Sequence, residues 1–136
     1  VGSVSSSQKN LISLKYGRLL IEFIPYVNHQ DAIKYMMESS VLLLIIPDHH
    51  SNRSIITGKL FEYLASGKPI LCIGPEDGDA ADIINTSGNG KCAAYNNTEG
   101  ISQIIDHYYK ERTNSGKNAL QKFSRESLTK ELVRLL

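Results

Sequence analysis

Apolar positions along the chain alternate between short continuous runs and stripes at helical spacing. Val1-Gly2-Ser3 has the character of a strand end, and Ser5-Ser6-Ser7 can cap a short helix running through Leu11, Ile12 and Leu14. Residues 19–24 read as a strand, and Glu22 within it marks an exposed edge. A turn at Pro25-Tyr26-Val27-Asn28 leads into a helix over 29–39, with Ala32, Ile33, Met36 and Met37 inward. Residues 41–46, Val-Leu-Leu-Leu-Ile-Ile, are continuously apolar, which predicts a central parallel strand covered on both faces. A polar loop follows to residue 56, then a helix over 57–67 and an apolar strand at 70–73. The turn Gly74-Pro-Glu-Asp-Gly-Asp79 leads into a helix over 80–87 with Ala80, Ala81, Ile83 and Ile84 inward. Gly88-Asn89-Gly90 ends it, residues 91–95 form the next strand, and Ile101, Ile104, Ile105 and Tyr108 set a helix over 98–112. Past the polar hinge at 113–116, an amphipathic tail carries Leu120, Phe123, Leu128, Leu132 and Leu135, with a second helix starting at Ser124.

Strand–helix alternation of this kind predicts an α/β fold with a Rossmann-like, three-layer parallel sheet and right-handed crossovers. The expected organisation is one domain over 1–113 and a helical tail over 114–136. Ligands of such sheets bind outside the C-terminal strand ends. The loop 47–56, the start of helix 57–67 and the turn 74–79 all fall at that edge.

Composition narrows the function classes. A net charge of +1 with interspersed acids and bases argues against a nucleic-acid binder. No apolar run approaches the roughly 20 residues a bilayer span requires. Cys72 and Cys92 each fall in a predicted strand, which favours buried reduced thiols and a cytoplasmic setting. The sequons at Asn96 and Asn85 are then chance matches. Asp48, His49 and His50 invite a metal, but adjacent histidines rarely ligate one ion, so no metal site is expected. The acidic residues of 74–79 are expected to cap the next helix, and His107 to be a surface residue.

The stretch Thr57-Gly-Lys-Leu-Phe-Glu-Tyr-Leu-Ala-Ser-Gly-Lys-Pro-Ile70 carries the candidate chemistry. Leu60, Phe61, Leu64 and Ala65 form its apolar side, and Lys59, Glu62, Tyr63 and Ser66 the opposite one. Gly67 suits a left-handed cap, and Pro69 forbids further helix. Lys59 lies in the first turn, where the helix's partial positive charge disfavours a cation. One reading is a surface pair between Lys59 and Glu62, worth about 0.2–0.5 kcal/mol. The other is an anion at the helix start, held by the amides near Thr57 and Gly58 and by Lys59, with Glu62 accepting from neighbouring hydroxyls. Phosphate beside a vicinal diol describes a nucleotide.

This segment resembles the donor-site signature of the family-4 (group 1) glycosyltransferases of the GT-B fold, K-[LI]-F-[ED]-Y-[LM]-A-x-G-K-P-[IV]. Looser similarity runs over residues 1–97, including Tyr26-Val-Asn-His29 and Val41-Leu-Leu-Leu44. The resemblance implies the C-terminal donor-binding domain of a retaining enzyme that transfers a sugar to a glycan or lipid-linked acceptor. It places Glu62 on the ribose hydroxyls and Thr57 and Gly58 at the diphosphate, beside Lys59 of the anion reading, with Arg53, Ser54 and Ile56 in a donor-side loop. Ser54 stands where many members carry a second glutamate near the transferred sugar. The family's glycine-rich loop, its upstream arginine and lysine, and the first of its six strands have no counterpart here. The chain therefore reads as a fragment, inactive alone, whose tail docks on an N-terminal acceptor domain of the same protein. The resemblance implies no cofactor beyond the nucleotide-sugar donor, no required metal, and a cytoplasmic location that extends to the membrane surface in the full-length protein.

Two other classes fit part of the pattern. Sugar-nucleotide 2-epimerases share the fold and also bind a nucleotide at a helix start. A receiver-like binding module is suggested by residues 41–48, but Leu43 occupies the position of the phospho-accepting aspartate, which leaves only a non-catalytic module.

Overall fold

The computed structural model describes residues 1–16 and 21–111. They divide into two compact units, one over Val1–Glu38 and one from Ser39 onward. The expected boundary at 113/114 and the whole amphipathic tail lie outside the described residues.

The first unit holds α1 (Ser6–Tyr16) and α2 (His29–Glu38). A capping box starts α1. The Gln8 amide N–H donates to Ser5 Oγ at 3.3 Å, and Ser5 N–H donates back to Gln8 Oε1 at 3.3 Å. Asn28 caps α2 by accepting the Asp31 N–H at 2.9 Å while its own amide donates to the Asp31 carboxylate. Neither helix buries any of its described residues, and Ile33 and Met37, expected inward, are exposed. A unit this short has too little apolar surface to close a core. The strand expected at 19–24 is not formed over residues 21–24, which are irregular; residues 19 and 20 are outside the described set. Among the described residues, a backbone bond runs there from Gly2 N–H to Ile24 O, at 2.9 Å.

The second unit is a parallel sheet of three strands among the described residues, in the order β1 (Leu42–Ile45), β2 (Ile70–Ile73), β3 (Gly90–Ala93). Leu44, Cys72 and Cys92 lie in register, as do Leu43, Leu71 and Lys91. Parallel neighbours need long crossovers, supplied by α3 (Gly58–Ser66) and α4 (Asp79–Ser87). Both pack on one face, where Leu60, Leu64, Ala80 and Ile84 close over Leu44, Ile46, Ile70 and Cys72. The other face is covered by α5 (Thr98–Glu111), whose Ile104 packs on Leu71 and Ala93. The result is the expected three-layer α/β/α arrangement.

The covered central strand is β2, not residues 41–46. Leu42 and Leu44 are buried, but Leu43 and Ile45 are 49% and 57% exposed. α5 reaches β2 and β3 and leaves this face of β1 open, so an apolar run reported composition rather than coverage. Strand β3 stops at Ala93, short of residue 95, because the Ala94 N–H donates to Glu76 Oε1 at 3.3 Å. On α5, Ile105 is exposed, against expectation, and His107 is half-buried with its ring 5.4 Å from that of Tyr108.

The helix-to-strand connections after α3 and α4 are built twice on one plan. Ser66 Oγ–H donates to Tyr63 O at 2.6 Å and accepts from Lys68 N–H. Ser87 Oγ–H donates to Ile84 O at 2.7 Å and accepts from Asn89 N–H. Gly67 and Gly88 then turn left-handed, at φ 66° and 68°, as the C-terminal caps. These turns aim each new strand back along the sheet.

Candidate functional site

The C-terminal strand edge gathers the loop 47–56, the start of α3 and the turn 74–79. The loop is fastened by Tyr95, at the far end of β3. Its hydroxyl is 2.9 Å from Ile46 O and 3.1 Å from Pro47 O, and it accepts from Asn52 Nδ2 at 3.0 Å. Burial, and then the Asp48 carboxylate, raises the Tyr95 phenol above its ordinary range, so it stays a donor. A short 3-10 turn at Asn52–Ser54 follows. Arg53 pairs with Asp77 at 3.1 Å, both side chains largely exposed. The turn is pressed against this loop, since a Cβ at Gly78 would meet Arg53 O at 2.9 Å. Gly74 is equally constrained, since a Cβ there would meet Ile46 Cβ at 2.9 Å.

The acidic residues of this turn do not cap α4 as expected. Gly78 is the N-cap, without a side-chain bond. Glu76 serves β3, Asp77 serves Arg53, and Asp79 and Asp82 lie in the first turn, where the helix dipole favours them.

At the start of α3, Thr57 is the N-cap residue in extended conformation, and its carbonyl accepts the first helical bond from Leu60 N–H at 3.1 Å. Its hydroxyl does not cap. The oxygen is buried and has no hydrogen-bond partner among the described residues. Gly58 is exposed, and a Cβ added to it would meet nothing within 4 Å. The first helical amides therefore receive no cap from the Thr57 side chain.

Lys59 and Glu62 are both exposed and form no ion pair with each other among the described residues, so the surface pair weighed from their spacing is not made. The apolar stripe of α3 is rotated from the expected one. Leu60 and Leu64 are buried and Tyr63 packs partly on the same core, whereas Phe61 and Ala65 face out. Tyr63 was sorted to the polar side by its hydroxyl, yet its ring supplies the packing surface. Burial, and then the neighbouring Glu62 carboxylate, raises the Tyr63 phenol pKa.

Thr57, Gly58 and Lys59 thus share one turn, with Glu62 one turn deeper. Arg53 is held by Asp77, and Ser54 and Ile56 are exposed beside it. Among the described residues, no His, Cys, Asp and Glu side chains converge as a metal set; the His49 and His50 rings stack with centroids 3.9 Å apart. Grooves lie along α2 and along the outer edge of β3, and neither includes residues 53–62. Sequence reading missed Tyr95 and Asp77, which act from 43 residues and one crossover away respectively; their residue types alone carry no signal of it. No helix among the described residues is long and apolar enough to cross a membrane. In comparisons with known proteins, no family model, curated protein or solved structure matches the chain.

Proposed function

We propose that this chain binds the nucleotide part of a nucleotide-sugar, as the donor-binding portion of a retaining GT-B glycosyltransferase. The observation that carries this reading is the unfinished start of α3. A threonine stands at the N-cap, where its hydroxyl would ordinarily bond the helix amides, and that hydroxyl is instead buried and unpartnered. Phosphate oxygens at this position would satisfy the amides that the hydroxyl leaves uncapped. Lys59 would neutralise their charge, and Glu62 would accept from the ribose. The wording of residues 59–70 supports the same assignment. In this reading the helix amides and Lys59 stabilise the diphosphate leaving group electrostatically, and an acceptor domain of the same protein supplies the other wall of the cleft.

Calorimetric titration of the chain with UDP, GDP, dTDP and their sugar conjugates tests it. One base should bind. Glu62→Ala should weaken that nucleotide on the order of 100-fold or more, from two charge-assisted bonds of about 1.5–3 kcal/mol each. Unchanged affinity in a folded Glu62→Ala protein would end the ribose assignment.

A further inference from the structure

Cys72 and Cys92 are free thiols and register partners on adjacent parallel strands, so both side chains leave the same face of the sheet. Strand spacing sets their Cα atoms about 4.8 Å apart, within the roughly 4.4–6.8 Å that a disulfide requires. Their surroundings differ. Cys72 is buried, while Cys92 is half-buried and borders a groove of about 270 Å³ that also touches Glu76, Lys91, Asn97 and Gln103.

We propose that Cys92 and Cys72 are a redox pair, converted by a hydroperoxide into a cross-strand disulfide that acts on the turn at residues 74–79. The neighbouring Cys72 thiol lowers the pKa of Cys92, while the Cys92 thiol and then burial raise that of Cys72. Cys92, the more exposed of the two thiols, is the attacking sulfur. It takes the outer oxygen of the hydroperoxide, the O–O bond breaks, and the Cys92 proton passes to the departing oxygen, which leaves as an alcohol or water. Cys72 sulfur then attacks the Cys92 sulfenic acid. Hydroxide departs, collects the Cys72 proton and leaves as a second water. Two thiols lose two electrons in all, and the hydroperoxide gains them.

Both sulfurs adjoin the turn. Cys92 Sγ lies 3.8 Å from Pro75 O, and Cys72 Sγ lies 3.9 Å from the place a Cβ would occupy on Gly74. Drawing Cys92 sulfur toward Cys72 removes the contact with Pro75 and shifts the segment that carries Asp77. This inference is independent of the nucleotide assignment.

The test is hydrogen peroxide treatment of the folded chain, followed by alkylation in denaturant, intact mass and peptide mapping. The expected product is two hydrogens lighter, with a single peptide linking Cys72 to Cys92, reversed by dithiothreitol. Cys72→Ala should stop at a dimedone-trappable sulfenic acid on Cys92, and Cys92→Ala should leave Cys72 unoxidised. Amide exchange in residues 74–79 should differ between reduced and oxidised wild type. Wild type that keeps both thiols under conditions that oxidise Cys92 in Cys72→Ala would overturn the proposal, as would links formed only between molecules. Should either variant fail to fold, the wild-type mass and linkage decide alone.

Discussion

Thr57 is an N-cap residue whose hydroxyl does not cap. An N-cap threonine ordinarily contributes about 0.5–2 kcal/mol through its hydroxyl. Here the hydroxyl makes no such bond and is shut away from water. A buried hydroxyl without a partner costs about 1–3 kcal/mol. Thr57→Val, which keeps the shape and removes the oxygen, should therefore leave the chain as stable or raise its Tm. A loss of more than about 1 kcal/mol in chemical denaturation would show that the hydroxyl caps the helix after all. Lys59 makes a complementary case. It is a cation at the positive end of α3, without an acidic partner in Glu62, and in the proposed reading its target is phosphate charge. Lys59→Ala should weaken a nucleoside diphosphate and spare the nucleoside, as read by parallel calorimetric titrations. Equal losses for both ligands would contradict the placement.

Among the elements, α3 and α4 end in the same way, and the energetic weight of that device can be separated from packing. Gly67 has φ 66°, and a Cβ there would meet nothing within 4 Å. Gly67→Ala therefore adds backbone strain alone, about 1–2 kcal/mol. Gly67→Asn should recover part of it, because asparagine tolerates the left-handed region. Urea denaturation of the two variants measures both terms, and a neutral alanine would mean that the turn relaxes. The glycine ends and the Pro69 stop were legible because each rests on local chemistry: a missing Cβ, a fixed φ. The rotation of α3 was not. Phe61 and Tyr63 lie on either side of the Leu60–Leu64 stripe, and hydropathy preferred the residue that the fold leaves outside.

On the scale of the whole molecule, coverage of the sheet decides what each strand contributes. Leu44 faces the α3–α4 core at 3% exposure, whereas Leu43, its neighbour in the chain, is 49% exposed. Leu44→Ala should cost about 2–5 kcal/mol by cavity formation, and Leu43→Ala about 0.5 kcal/mol or less. Comparable losses in thermal denaturation would place a covering layer over the second face of β1. The sequence by itself determined the parallel α/β class, the α3 segment with its caps, and the strand edge at which the candidate site lies. Those follow from periodicity, from glycine and proline at fixed positions, and from the geometry that parallel connections impose. Tertiary structure alone decided that β2 is the central strand, that residues 21–24 form no strand, and that Arg53 meets Asp77 while Tyr95 fastens the loop. It alone set Cys72 beside Cys92 and left the Thr57 hydroxyl without a partner. Each of these depends on which distant segments share space, and the residues concerned carry the same local chemistry whether or not they meet.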